Sequence, residues 1–251
     1  MSIISKMFKI RANKKNYGAK RSTKNIKYIV IHFTANDGDH DTSNGNYFKD
    51  KVVKASAHYF VDSDSITQSV PDNYVAWSVG GSKYGDCAKT GGGKFYGKCT
   101  NSNSISIELC DDKKNGKIYP SQKTIDNALL LTKYLMKKYN VPSARVIRHF
   151  DVNGKRCPDY WCGTAEKNLK WKTAFHNKLT EPTKSSGSSF KVKTLRRLCI
   201  YKGVGVKKTG KKTDVDVYTI TKTAYKGKMK YGYLKSGAGW IKIDKKYVDR
   251  L

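Results

Sequence analysis

The stretch His149-Phe-Asp151-Val-Asn-Gly-Lys155-Arg-Cys157-Pro158 constrains this chain more than any other. A histidine is followed six residues on by a lysine and two further on by a cysteine, with a proline to fix the turn. Such a stretch offers two ligands to a metal. A strand ending in Ile31-His32-Phe33-Thr34 offers a third from more than a hundred residues upstream, so the fold has to join the two regions. Two histidines and one thiolate leave one position of a tetrahedral zinc open to water. That is the arrangement of a hydrolytic site, not a structural one.

A chain of 251 residues has room for one sizeable domain and a small one. Its formal charge is +30, with 31 basic against 16 acidic residues in 1–183 and 19 against 4 in 184–251. The C-terminal part is therefore far more basic per residue. Such a field attracts a polyanion, whether nucleic acid, an anionic membrane surface or a cell-wall polymer. The clustered basic and aromatic motifs of nucleic-acid readers are absent, so no nucleic-acid partner is expected. No apolar run approaches the roughly 18 residues of a membrane span. Met1-Ser-Ile-Ile-Ser-Lys6-Met-Phe is too short and too soon interrupted for a signal peptide. The six cysteines (87, 99, 110, 157, 162, 199) fall short of disulfide-scaffold density, and free thiols are expected.

Lys27-Tyr-Ile-Val-Ile-His32-Phe reads as a buried strand, and 56–61 and 65–70 as two more around Asp62-Ser-Asp64. Residues 45–55 read as weakly helical, and the Gly-, Lys- and Ser-rich 80–103 as a long loop. Ser104-Ile-Ser-Ile-Glu108-Leu alternates cleanly. Ser121 should cap a helix of about eighteen residues whose apolar positions follow i, i+3, i+4 spacing up to Pro142. A short strand over 145–149 and a helix over 164–179 complete the first domain, 1–179. Residues 180–189 have linker composition. Beyond them, short alternating runs at 190–195, 215–221, 229–234 and 239–243 predict a small β-barrel.

A hydrolytic zinc needs a base for its water. Glu108, the only charged residue in an otherwise apolar strand, is the candidate, since burial beside a cation would suit it to shuttle a proton. Lys155 offers an ammonium for a tetrahedral oxyanion. Taken alone, His32 also suits a core histidine and Glu108 a strand-edge carboxylate. Asp151 suits a turn cap or a partner to a ligand histidine. His58 and Trp77 are candidates for the groove that holds substrate, with core packing as their other reading. His40 and His176 read as surface residues.

Residues of about 26–179 resemble the zinc-dependent N-acetylmuramoyl-L-alanine amidases of the type 2 family, which also includes the peptidoglycan recognition proteins. The resemblance lies in Tyr28-Ile-Val-Ile-His32-Phe-Thr, Ser56-Ala-His58-Tyr-Phe-Val-Asp62, Val70-Pro with Ala76-Trp77, Asn103-Ser-Ile-Ser-Ile-Glu108-Leu and the stretch from His149 to Pro158. It implies an α/β fold, a mixed central sheet with flanking helices. It assigns zinc to His32, His149 and Cys157, proton transfer to Glu108 and oxyanion stabilisation to Lys155. The implied reaction cleaves the amide between the lactyl group of N-acetylmuramic acid and the L-alanine of the peptide stem. A receptor without catalysis is the alternative within the same family.

Three departures stand out. Ala57 holds a place where some members have a catalytic tyrosine, and Ser78 one where many have a histidine. The loop 80–101 is longer and more basic than a minimal member needs.

Residues 190–251 resemble a bacterial SH3-type wall-binding domain, an all-β barrel, through Leu198-Cys-Ile-Tyr-Lys-Gly203 and Tyr231-Gly-Tyr233-Leu-Lys-Ser-Gly-Ala-Gly-Trp240-Ile. Tyr233 and Trp240 would grip the peptidoglycan bridges or teichoic acids of a Gram-positive wall. The layout is that of phage endolysins, monomers released from the host cytoplasm through a holin. A lysine-heavy composition, 42 of the 50 basic residues, suits a low-GC host.

Overall fold

The computed structural model describes residues 7–180, 190–227 and 229–251. The chain divides into two compact units, Ser2–Glu181 and Pro182–Leu251. Most of the expected linker (181–189) and the opening Met1–Lys6 lie outside the described residues.

In the first unit the order is β1 (Met7–Lys9), β2 (Tyr17–Lys20), β3 (Tyr28–Phe33), α1 (Asp41–Asp50), β4 (Tyr59–Val61), β5 (Ile66–Gln68) and β6 (Tyr74–Ala76). Then come α2 (Cys87–Thr90), β7 (Ser104–Leu109), α3 (Gln122–Tyr139), β8 (Val146–Arg148), α4 (His149–Asn153) and α5 (Ala165–Ala174). Six strands form one mixed sheet in the order β1-β5-β4-β7-β3-β8, in which only the β4–β5 pair is antiparallel. Strands β2 and β6 pair separately.

The alternation in β3 and β7 sorts the two faces of the sheet. Ile29 and Ile31 of β3 and Ile105, Ile107 and Leu109 of β7 face α3, which buries Ile125, Ala128, Leu129, Leu131 and Leu135 against them. Trp161, Trp171 and Phe175 extend this core, and burying each such side chain contributes about 1.5–3 kcal/mol. The residues between them, His32, Ser106 and Glu108, point to the opposite face, where the site lies.

Helix α3 matches the expected eighteen residues, with the Ser121 hydroxyl accepting from Thr124 N at 3.2 Å and Asn140 left-handed at its end. Elsewhere the elements depart from their sequence patterns. The weak helix expected over 45–55 runs from Asp41 to Asp50, and 51–54 is irregular. The helix expected over 164–179 stops at Phe175 (φ −133°, ψ −66°) and continues as a 3₁₀ turn, so Phe175 can stack on Trp171. The loop expected over 80–103 contains the short helix α2 and is docked. Tyr84 N and Gly93 N donate to the Asn153 and Phe150 carbonyls, and Phe95 N to that of Asp151.

The second unit holds β9 (Phe190–Thr194), β10 (Cys199–Tyr201), β11 (Lys208–Lys212), β12 (Val217–Lys226), β13 (Met229–Leu234), β14 (Trp240–Lys242) and β15 (Val248–Arg250). They pair antiparallel in the order β11-β10-β14-β13-β12-β9-β15 around Val192, Ile200, Ile220, Leu234 and Ile241. The sequence pattern foresaw four of these seven strands. The others are three to five residues long, too short to show periodicity.

Candidate active site

Strand β3 lies between β7 and β8, and this order assembles the site. Across β3–β7 the register pairs His32 with Glu108. On the other side β8 runs straight into α4, whose first residue is His149. The His32 and His149 rings meet edge to face, with centroids 4.8 Å apart. Gly154 then ends α4 at φ +96°, a conformation other residues rarely adopt. The chain turns back so that Phe150 N donates to the Cys157 carbonyl at 3.0 Å. That turn brings Cys157 Sγ to 3.6 Å from His32 Nδ1.

Asp151 secures the turn. It accepts from Arg148 N (2.8 Å) and Nε (2.9 Å), and pairs with Nη2 at 2.7 Å. Of its two sequence readings the cap is therefore the one realised. Its partner is an arginine, not a ligand histidine.

The ligand atoms of His32, His149 and Cys157 lie within 4.8 Å of one another, the one such cluster among the described residues. All three side chains are buried. His32 Nε2, both ring nitrogens of His149 and Glu108 Oε2 are buried without a hydrogen-bond partner. Buried polar atoms without partners are costly, and unpartnered ring nitrogens of both histidines beside the Cys157 thiol fit a bound cation. Two imidazoles and a thiol are a zinc donor set.

Burial pushes His32 well below its ordinary pKa and His149 down to about 3, which keeps both rings in the neutral, ligating form. Burial raises the Cys157 thiol, so a cation arriving there displaces a proton. Glu108 is pushed up to about 8 by burial, against the pull of the Lys155 ammonium. Its Oε1 stands 3.9 Å from His32 Nδ1.

These residues sit in a groove made of two adjoining cavities. The larger, about 690 Å³, takes in His32, His149, Cys157, Glu108, Asp39, Tyr47 and Phe60. The second, about 560 Å³, takes in Lys54, Lys83 and Asn101. Trp77, Ser78, His149 and Lys155 line both.

Trp77 thus walls the groove, whereas His58 requires a correction. It is buried beneath the groove and does not line it, because Ser106 N donates to its Nδ1 at 3.1 Å and its Nε2 faces the Tyr74 carbonyl at 3.2 Å. The Ser78 hydroxyl donates to Ser106 Oγ at 2.9 Å. Sequence reasoning missed Lys54, Lys83, Asp39 and Tyr47, which no motif flags, and Phe60, which lies in the Ser56–Asp62 stretch but was not singled out.

All six cysteines are free thiols. The exposed side chain of His40 is 3.3 Å from Asp62, and His176 is half-buried against the Ser143 carbonyl. In the second unit Tyr233 and Trp240 are half-buried and meet edge to face at 5.2 Å.

The profile of the family described as N-acetylmuramoyl-L-alanine amidase matches residues 22–160, which hold His32, His149, Cys157, Glu108 and Lys155. The chain belongs to the N-acetylmuramoyl-L-alanine amidase family. Among its relatives, N-acetylmuramoyl-L-alanine amidase CwlL of Bacillus licheniformis is 32% identical over 172 residues, 65% of this chain and 45% of the relative. N-acetylmuramoyl-L-alanine amidase CwlA of Bacillus subtilis is 32% identical over 154 residues, 61% of this chain and 51% of the relative. The chain thus spans about half the length of these curated amidases.

Two solved structures extend the likeness to the fold. A mutant endolysin from Bacillus subtilis is 26% identical with a TM-score of 0.52, covering 69% of this chain and 97% of that one. The PlyG catalytic domain is 30% identical with a TM-score of 0.51, covering 69% of this chain and 92% of that one.

Proposed function

We propose that this amidase-family chain is a zinc-dependent peptidoglycan hydrolase. It would cleave the amide between the N-acetylmuramic acid lactyl group and the L-alanine of the stem. The observation that carries this reading is the cluster of two neutral imidazoles and a thiol beside Glu108 and Lys155 in an open groove.

His32, His149 and Cys157 would hold the zinc. When bound, it supplies Lewis acidity to the scissile carbonyl and to the attacking water. The unpartnered Oε2 of Glu108 takes the proton of that water and delivers it to the departing alanine amine. A carboxyl held near neutrality is suited to both transfers. Lys155 gives its positive charge to the carbonyl oxygen as that atom becomes anionic. Trp77 offers a flat apolar wall for a sugar ring or peptide.

The second unit acts in this reading as an SH3-type wall-binding module, with Tyr233, Trp240 and the surrounding lysines facing an anionic Gram-positive wall and its teichoic acids. The endolysin names of the solved relatives favour release through a holin over an autolysin route. A receptor without catalysis is disfavoured, because such a protein has no use for Glu108 and Lys155 beside a complete ligand set.

The test is lysis of purified Gram-positive walls with product analysis. New L-alanine amino termini with intact glycan support an amidase. New reducing ends would mean a glycosidase, and binding without release would mean a receptor.

A further inference from the structure

The two arms of the groove differ in charge. On the ligand side, Asp39 lines the wall, its carboxylate held by Asn44 Nδ2 at 2.6 Å and Asp111 N at 2.9 Å. The other arm is lined by Lys54, Lys83 and Lys155 and by no acidic residue. None of these three ammonium groups forms an ion pair with a described residue. Three uncompensated cations in one concave, polar cavity make a site for an anion.

The backbone around this arm is built for its position. Among the described residues only three non-glycine residues have positive φ: Ala35, Lys54 and Asn140. Asn140 is a helix cap, where the conformation is ordinary. Ala35 and Lys54 both line the groove. Lys54, at φ +52°, is held there by the fully buried Asn16. Asn16 Oδ1 accepts from Val53 N at 2.8 Å and Lys54 N at 3.0 Å. Its Nδ2 donates to the Phe48 and Lys51 carbonyls at 2.8 and 2.7 Å. An unfavourable conformation fixed by a buried side chain that spends its whole capacity on it marks a functional position. Lys83 comes from the docked segment, fixed by Tyr84 N on the Asn153 carbonyl and Asn153 Nδ2 on the Gly80 carbonyl.

We propose that Lys54 and Lys83 bind a carboxylate of the substrate's peptide stem. This rests on the amidase reading above. Next to L-alanine, stems carry a γ-linked D-glutamate whose α-carboxyl is free in some walls and amidated in others. The arm reads that difference and favours the free acid.

The test uses two soluble muramyl-peptides that differ only in this group and carry no teichoic phosphate. The zinc-loaded full chain should show kcat/KM about tenfold or more higher on the free acid, as for a charge-assisted hydrogen bond. In Lys54→Gln/Lys83→Gln that ratio should fall towards one, mainly through KM, and Lys54→Arg should keep it. Circular dichroism checks that the variants are folded. A ratio near one in the wild type, or an undiminished ratio in the double variant, overturns the proposal. The double variant is also assayed on purified walls with and without teichoic acid, and a loss confined to walls bearing teichoic acid overturns the proposal by making phosphate the ligand. If the wild type releases no L-alanine amino terminus from either substrate, it is the amidase reading that fails.

Discussion

His32 and Glu108 face each other across neighbouring parallel strands, His32 Nδ1 3.9 Å from Glu108 Oε1. The pairing is a matter of register. A slip of one residue along β7 would turn Glu108 into the core beneath α3 and put Ile107 or Leu109 beside the ligand cluster. The alternation that buries Ile105, Ile107 and Leu109 therefore also fixes the carboxylate against the His32–His149–Cys157 cluster.

Glu108 and Cys157 should separate cleanly on mutation. Glu108→Ala removes a group that ligates nothing, so it should keep bound zinc and fold while wall lysis falls by about 10²–10⁴. Cys157→Ala removes a ligand and should lose zinc and lysis together. Zinc content by elemental analysis beside turbidity assays reads both, and wild-type lysis by Glu108→Ala would remove it from proton transfer.

Gly154 should tolerate no side chain. A Cβ there would run into Cys87 Sγ and Tyr84 Cβ, and φ is +96°. Gly154→Ala should cost about 1–3 kcal/mol in denaturant unfolding and weaken zinc retention, since the same turn presents Cys157. Gly97, at φ +74° with nothing within 4 Å, is the control. Gly97→Ala carries only the backbone cost, about 1 kcal/mol. Equal losses at the two positions would refute the packing account.

His58 should make the fold acid-sensitive. Burial, and then the Arg21 guanidinium 2.9 Å from Nε2, push its pKa from 6.5 down to about 3. Its pKa is depressed on folding, so between these values the unfolded chain binds the extra proton. Its stabilising contribution is full above pH 6.5 and is lost as pH falls towards 3, by at most about 1.4 kcal/mol per pH unit. Unfolding midpoints at pH 7 and 4.5 should therefore converge in His58→Gln relative to wild type. The same fall in both proteins would assign the acid limb to other groups.

The patterns legible in the residues were those with a physical period or a specific ligand chemistry. Helix α3 carries a cap, a 3.6-residue stripe and a terminating Asn-Val-Pro. Strands β3 and β7 carry alternation, and His32, His149 and Cys157 carry zinc chemistry. The break of α5 at Phe175 was not legible, because ring stacking on Trp171 overrides helical continuity there. Nor was the docking of 80–103, which rests on backbone hydrogen bonds, the Asn153 side chain and the packing of Phe95 and Cys99, all made to elements remote in sequence.

His58 illustrates the limit. A histidine on a strand reads the same whether it faces a groove or the interior, and the Ser106 amide and Tyr74 carbonyl that bury it come from distant elements. The residues by themselves determined which chemistry is present: two histidines and a cysteine fit to hold zinc, a carboxylate in an otherwise apolar strand and an excess of lysine. Only the tertiary structure decided where the charges meet. Asn16 fixes Lys54 and Asn153 fixes the segment bearing Lys83 through contacts remote in sequence, and long-range packing, not local pattern, gives the groove its lysine-lined arm.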